Sequence, residues 1–335
     1  MTAISHAAAA IREGDIIRST LVPVGERETI VSMLVRNASR FGGHPVFAEW
    51  RDGGFQAVGW DRFLDDVVAL GRFLSGSGVG PGDRVLVFSP NRGEMLVTEM
   101  AVTALGAIYV PIFSGYPADQ AGTLIAHAAP AAIVVAGGDH LGRTSIPPTV
   151  RALVSFEPVD GATLERALAG TAVEPTLYHD ALRLGRVAGP DDPHRAEFLD
   201  QALRRDPTEP FLMMYTSGTS GVPKGVLLTQ DNILSQQRAL AAVWSITPAD
   251  RFLSYLPWHH SFGGLFEKYN ALYNGATIWL DDSLGKDFDR LLAHWKRVRP
   301  TIYFSVPKVF QQLVVHAQTH SEEERDVFHP GLRFV

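Results

Sequence analysis

The sequence contains no cysteine among its 335 residues. That excludes disulfide bonds, thiolate nucleophiles and cysteine-ligated metal sites, and it fits a cytoplasmic protein. Long apolar runs are lacking too. The most apolar window, residues 96–113, is interrupted by Thr98, Glu99 and Pro111, whereas a membrane span needs about 20 consecutive apolar residues. The alanine run at 7–10 is followed by Glu13 and Asp15, which is not the basic, apolar, small-residue order of a secretory signal. A soluble chain is expected, with at most peripheral membrane contact. Basic residues do not predominate: 30 Lys and Arg against 36 Asp and Glu give a formal charge of −6. Nucleic acid is therefore a poor candidate for the main partner, because phosphate backbones are bound by basic surfaces.

What is present is globular. Hydrophobic residues make up 46% and charged residues 20%, close to the average of folded domains. The length suggests two subdomains sharing a large interface. Residues 1–28 lack sustained periodicity and read as a loose lead-in. Residues 29–182 read as a first α/β subdomain, 183–210 as a polar surface connection, and 211–335 as a second α/β subdomain. Helical spacing of apolar residues predicts helices over 29–41, 61–75, 94–105 and 118–128. Asp52-Gly53-Gly54 predicts a hairpin between 45–50 and 55–58. The segments 84–88, 107–112, 131–136 and 152–156 read as strands, and the almost pure Ala, Ile and Val of 131–136 predicts burial on both faces, as in a parallel sheet covered by helices. In the second half, helices are expected over 231–244, with Asp231 as N-cap, and from Phe262, with Gly275 closing the end. Helices over 286–298 and 307–317, and strands at 251–256, 276–280 and 301–305, complete an α/β alternation.

The stretch from Phe211 to Gly225 stands apart. Five apolar or aromatic residues form a strand, and a loop of hydroxyls, glycines, one proline and one lysine follows: Thr216-Ser217-Gly218-Thr219-Ser220-Gly221-Val222-Pro223-Lys224-Gly225. Free amides, hydroxyls and a fixed positive charge suit a polyphosphate. The loop is not a Walker P-loop. That motif requires G-x-x-x-x-G-K-[ST], and here Pro223 replaces the second glycine and Gly225 the hydroxyl residue. Composition alone favours a flexible Gly/Ser connector; the position after a buried strand, and the match that follows, reverse that reading.

With Tyr215 before it, this run closely resembles the YTSGTTGxPKG signature of the adenylate-forming (AMP-binding) superfamily, with Ser220 keeping the hydroxyl where Thr is commoner. Ala104 to Ile112 with Tyr116-Pro117, and Leu256-Pro257-Trp258-His259-His260-Ser261-Phe262-Gly263, resemble two further motifs of that superfamily. Asn91-Arg92-Gly93-Glu94, Arg299-Pro300-Thr301 and Val306-Pro307-Lys308-Val309-Phe310 look most like long-chain acyl-CoA synthetases. The resemblance covers roughly residues 29–335. It implies the large N-terminal domain fold of that superfamily: stacked sheets with helices on their faces.

The resemblance further implies a two-step reaction. A carboxylate, in this case most plausibly a fatty acid, attacks the α-phosphate of ATP with Mg2+, giving an acyl-adenylate and pyrophosphate. The acyl group then passes to coenzyme A. Thr216, Ser217, Gly218, Thr219, Ser220, Gly221 and Lys224 would hold the ATP phosphates, Thr216 would join the Mg2+ shell, and Lys224 and His260 would be catalytic. Trp258, His260, Phe262 and Gly263 would border the acyl substrate, although Trp258 and Phe262 are equally readable as core. A His259–His260 metal pair is not expected, since adjacent side chains diverge. Asp281-Asp282 and Asp191-Asp192 read as solvated loop charges. Gln230, where relatives often have His, carries no expected consequence. The later motifs of the superfamily, YGxTE, the ribose-binding Asp and the C-terminal catalytic Lys, are not found in the sequence. A fold incomplete at its C-terminus, without the C-terminal domain and inactive alone, is therefore expected. Three readings follow: part of an acyl-CoA synthetase, part of a fatty-acyl-AMP ligase delivering to a carrier protein, or a non-catalytic nucleotide- or acyl-binding short form.

Overall fold

The computed structural model describes residues 28–216, 224–320 and 327–333. The lead-in, all but Glu28, and the loop residues Ser217, Gly218, Thr219, Ser220 and Gly221 lie outside the described residues. Helix α1 (Ile30–Phe41) starts at Thr29, whose hydroxyl and Ser32 cap each other's backbone amides. Strands β1 (Pro45–Arg51) and β2 (Gly54–Gly59) form the expected hairpin. Its two turn residues, Asp52 and Gly53, both have positive φ (50° and 82°), the backbone twist that a two-residue hairpin loop requires.

An alternation then builds the main layer: α2 (Trp60–Gly76), β3 (Arg84–Phe88), α3 (Gly93–Ala104), β4 (Ile108–Ile112), α4 (Ala118–Ala128), β5 (Ala132–Val135), α5 (Gly138–Gly142), β6 (Ala152–Ser155), α6 (Gly161–Ala167) and β7 (Pro175–Leu177). After α7 (Tyr178–Gly185) and α8 (Pro193–Leu203) come β8 (Pro210–Thr216), β9 (Lys224–Thr229) and α9 (Gln230–Val243). The chain continues through β10 (Arg251–Ser254), a π-helical segment Phe262–Glu267, α10 (Lys268–Asn274), β11 (Thr277–Leu280), α11 (Phe288–Val298) and α12 (Pro307–Thr319).

Two sheets result. A seven-stranded sheet has the order β7-β6-β5-β3-β4-β8-β9, parallel except for the antiparallel β8–β9 pair. A four-stranded sheet has the order β10-β11-β1-β2. The mixed α/β architecture predicted by the alternation is thus present. Alternation along a strand feeds two cores: Val85 and Val87 of β3 pack with α2 and α3, while Leu86 and Phe88 pack with Leu124 and Ile125 of α4. Burial on both faces explains why the central strands read as continuous apolar runs. Each sheet draws strands from both sides of residues 183–210, so the sheet boundaries do not follow that linear partition.

Several local expectations are corrected. The polar stretch 183–210 carries α8. Asp192 caps this helix through the His194 amide at 2.9 Å, Pro193 is its first residue, and Phe198 fills the space left by Gly71. Most of its surface faces water, so no amphipathic period announces it. Residues 301–305 are extended but form no ladder: Ile302 makes a single bridge to Phe252. The cap of α9 is Thr229, paired reciprocally with Asn232, and not Asp231. Gly275 ends α10 with φ 73°, as expected. Among the described residues, no helix is long and apolar enough to cross a membrane.

Candidate functional site

Because β3, β4 and β8 run parallel, their C-terminal ends share one edge of the seven-stranded sheet. Ligand sites of α/β sheets form at that edge. The strand β8 ends in Thr216, and the return strand β9 begins at Lys224, directly opposite in the antiparallel register. Thr216 and Lys224-Gly225 of the signature-like run therefore lie in paired antiparallel strands, and only residues 217–223 connect them. Neighbours across such a pair have Cα atoms about 4.5–5.5 Å apart, so Thr216 and Lys224 are adjacent, and both residues are exposed. Just below, Tyr215 is anchored to α4. Its hydroxyl lies 2.8 Å from His127 Nδ1 and donates to the Leu124 carbonyl at 3.3 Å. Burial raises the Tyr215 phenol to about 12, which keeps it a hydroxyl donor at neutral pH.

The second motif, residues 256–264, reaches the same edge. Asn91, in the loop between β3 and α3, donates from Nδ2 to the Leu256 carbonyl at 2.7 Å and accepts from the Trp258 amide at 2.9 Å. Beyond it the chain turns tightly. The His260 amide donates to the Pro257 carbonyl at 3.1 Å, and the Gly264 amide donates to the His260 carbonyl at 2.7 Å. Gly263 and Gly264 allow this backbone-on-backbone packing: a Cβ on Gly263 would sit 2.6 Å from the Leu256 oxygen, and one on Gly264 would collide with the Trp258 oxygen.

His260 lies exposed on this turn. Its Nδ1 accepts from the Phe262 amide at 3.4 Å, which leaves the proton of the neutral ring on Nε2. His259 is more enclosed, its ring centroid 4.9 Å from that of Phe113 at the end of β4. Burial, reinforced by His260, pushes its pKa down to about 4. Phe262 is 36% exposed and faces Phe266 and Phe304, and Phe304 stacks on Trp244. Trp258, by contrast, is fully buried beneath the Lys268 ammonium. Gly263 is buried as well, and its lack of a side chain is accounted for by the packing just described.

Four groups had no sequence signal of their own. Asn91 entered only as part of a family-like string. Phe113 and Phe304 read as ordinary apolar residues. Glu267, at the end of the π-helical turn, is buried and hydrogen-bonded by the Ser254 hydroxyl at 2.6 Å; burial raises its pKa to about 8. Gln230 acquires a role: its Oε1 accepts from the Ile30 amide at 2.7 Å and so ties α9 to the start of α1.

The donor set at the hairpin suits Mg2+ only as an ion brought in with phosphates. Mg2+ takes oxygen ligands, typically one or two carboxylates with phosphate oxygens, and Thr216 offers one neutral hydroxyl. The carboxylate–histidine group found among the described residues is elsewhere: Asp281, Asp282 and His294. Asp282 is a surface charge, as expected, although Arg290 pairs with it. Asp281 is not. It is buried, lies 2.8 Å from His294 Nδ1, and orders the turn to Ser283.

Comparison with known proteins agrees with this geometry. Residues 34–335 match the AMP-binding enzyme family, to which the chain therefore belongs. It is 25% identical over 305 residues to a long-chain fatty acid–CoA ligase of Mycobacterium tuberculosis, covering 89% of this chain and 47% of that one. It is likewise 25% identical over 270 residues to fatty acyl-CoA synthetase A of Dictyostelium discoideum, covering 80% and 38%. The chain spans about half the length of the curated relatives it matches. Its fold is that of the adenylation domain of the Segniliparus rugosus carboxylic acid reductase, solved with AMP and a co-purified carboxylic acid (TM-score 0.68, 20% identity, 89% of this chain and 51% of that one). It is also that of ATP-bound MatB from Rhodopseudomonas palustris (TM-score 0.62, 20% identity, 85% and 51%).

Proposed function

We propose that this chain carries the phosphate-holding part of an enzyme that activates a carboxylic acid with ATP, forming an acyl-adenylate and then a coenzyme A thioester. The observation that carries the reading is the pairing of Thr216 with Lys224 at the end of β8 and β9, on the same sheet edge that receives the His260 turn. Displacing pyrophosphate moves negative charge onto the leaving phosphates. Fixed donors and a cation stabilise that charge without reorganising.

Lys224 supplies the cation, and Ser217, Gly218, Thr219, Ser220 and Gly221 supply hydroxyls and amides. Thr216 would ligate a Mg2+ ion arriving with ATP. His260, with its proton on Nε2, offers a donor toward the acid. The half-exposed aromatic group of Phe262, Phe266 and Phe304 offers an apolar surface, which favours a fatty or other hydrophobic acid. Transfer to a carrier protein in place of coenzyme A is the second reading, supported by the likeness to a prolyl–carrier protein ligase of Streptomyces coelicolor (26% identity, 79% of this chain and 47% of that one).

The YGxTE, ribose-binding and late lysine motifs are not in these 335 residues, so binding rather than turnover is expected of this chain alone. Calorimetric titration with ATP, ADP, AMP and adenosine tests the reading. ATP should bind most tightly, and the largest loss should follow removal of the β- and γ-phosphates together. AMP binding as tightly as ATP would overturn the phosphate assignment. Robust carboxylate-dependent ATP–pyrophosphate exchange by the purified chain would overturn the expectation of binding without turnover.

A further inference from the structure

We propose that Asn91 is the positioning residue that sets the turn bearing His259 and His260 against the nucleotide edge of the seven-stranded sheet. What is positioned rests on the function proposed above; the positioning itself does not. The segment 256–258 continues beyond β10, where the ladder to β11 has ended. The Leu256 carbonyl and the Trp258 amide therefore have no strand partner, and Pro257 between them has no N–H. One carboxamide matches this need, because it presents a donor and an acceptor side by side. Asn91 uses both, at 2.7 and 2.9 Å, across sequence separations of 165 and 167 residues.

Asn91 stands three residues after Phe88, the last residue of β3, and that strand pairs with β4. Strand β4 pairs in turn with β8, the strand that ends in Thr216. A displacement of the His turn is thus resisted by the element that also fixes the phosphate hairpin. Two further contacts define the pose. The Phe113 ring lies against His259 from the β4 end of the same edge, and the Gly263–Gly264 backbone closes the inner side. Neither replaces the amide. The Phe113 contact is non-directional, and the glycines limit only how close the turn packs. An aspartate at 91 would accept from Trp258 but would face the Leu256 carbonyl without a proton to give.

The test reads the turn itself by following the imidazole resonances of His259 with pH in the intact chain, Asn91→Ala and Asn91→Asp. His259 should stay neutral to about pH 4 in the parent. In Asn91→Ala its midpoint should rise by a unit or more, toward the ordinary histidine value of about 6.5, as the turn leaves Phe113 and gains water. In Asn91→Asp, which keeps one of the two hydrogen bonds, the midpoint should also rise, with the new carboxylate adding to the shift. Far-UV circular dichroism and the urea unfolding midpoint of each variant report whether the fold is intact. If Asn91→Ala does not fold, Asn91→Ser, which adds no charge, decides by the same criterion. An unmoved His259 in a folded variant overturns the proposal, whatever the ATP titrations show. Loss of ATP binding on changing Lys224 bears only on the function.

Discussion

The Lys268 ammonium meets the Glu99 carboxylate in the interior, where the two residues are 2% and 0% exposed. Glu99 belongs to α3, which covers the seven-stranded sheet, and Lys268 begins α10, which leads into β11 of the smaller sheet. The Tyr269 hydroxyl donates to the second Glu99 oxygen at 2.7 Å, and the ammonium lies 5.4 Å from the Trp258 ring centroid. Burial pushes the lysine pKa down, and the glutamate opposes that. The pair sits beneath the His turn and joins the two sheets.

Breaking a buried pair by removing one partner leaves an uncompensated charge, at a cost of about 3–5 kcal/mol. Lys268→Met should therefore be strongly destabilising in urea denaturation. The double variant Glu99→Gln with Lys268→Met removes both charges and keeps an acceptor for Tyr269. It should recover more than half of the loss. A double variant no more stable than Lys268→Met would show that packing, and not charge, is at stake.

Glu267 makes a pH-dependent contribution of opposite sense to most carboxylates. Its folded pKa of about 8 lies above the ordinary value of 4.5. The unfolded chain thus loses the proton first as pH rises. The contribution is complete below about pH 4.5 and falls by about 1.4 kcal/mol per unit until about pH 8. Glu267→Gln should flatten the decline in unfolding free energy between pH 5.5 and 7.5. Equal slopes for the two proteins would contradict the burial assignment.

Gly264→Ala should be among the most damaging single-methyl additions in the chain. Its Cβ would meet the Trp258 carbonyl, which cannot rotate away as a side chain could. A fall in thermal midpoint of several degrees is expected, with the His259 and His260 resonances displaced. A variant with parental stability and unchanged resonances would show that the turn is looser than its packing indicates.

On the proposed function, His260→Ala should leave ATP binding largely intact, since the ring stands on the turn of residues 257–264 and not on the Thr216–Lys224 pair. In a form of the protein that turns over, the loss should fall on the carboxylate, as a raised KM for the acid. Loss of ATP binding comparable to that of a Lys224 variant would remove His260 from the acyl side.

Much of the fold could be read directly from the residues. The Ala, Ile and Val run of β5 announces a strand buried on both faces, and Asp52-Gly53 announces a two-residue hairpin, because local chemistry decides both. The run Thr216 to Gly225 was recognisable as a string, but not as the end of an antiparallel strand pair. Strand β9 is an edge strand with Val226 and Leu227 exposed, so its alternation carries no inside–outside signal. Helix α8 was hidden for the same reason. The π-helical turn after Phe262 disguised Glu267 and Lys268, which a regular helical wheel does not turn inward together. Asn91, Glu99 and Lys268 act through partners more than 160 residues away, and no local pattern encodes such a pairing.

On the proposed function, the paired Thr216 and Lys224 grip the phosphates that leave as pyrophosphate. Titration of inorganic pyrophosphate into the parent chain and into Lys224→Ala tests it most directly, because neither adenine nor acid contributes. A charge-assisted hydrogen bond contributes roughly 1.5–3 kcal/mol, so the variant should bind about 10–150-fold more weakly, with the His259 and His294 resonances unchanged. Equal pyrophosphate affinity in the two proteins would contradict the account.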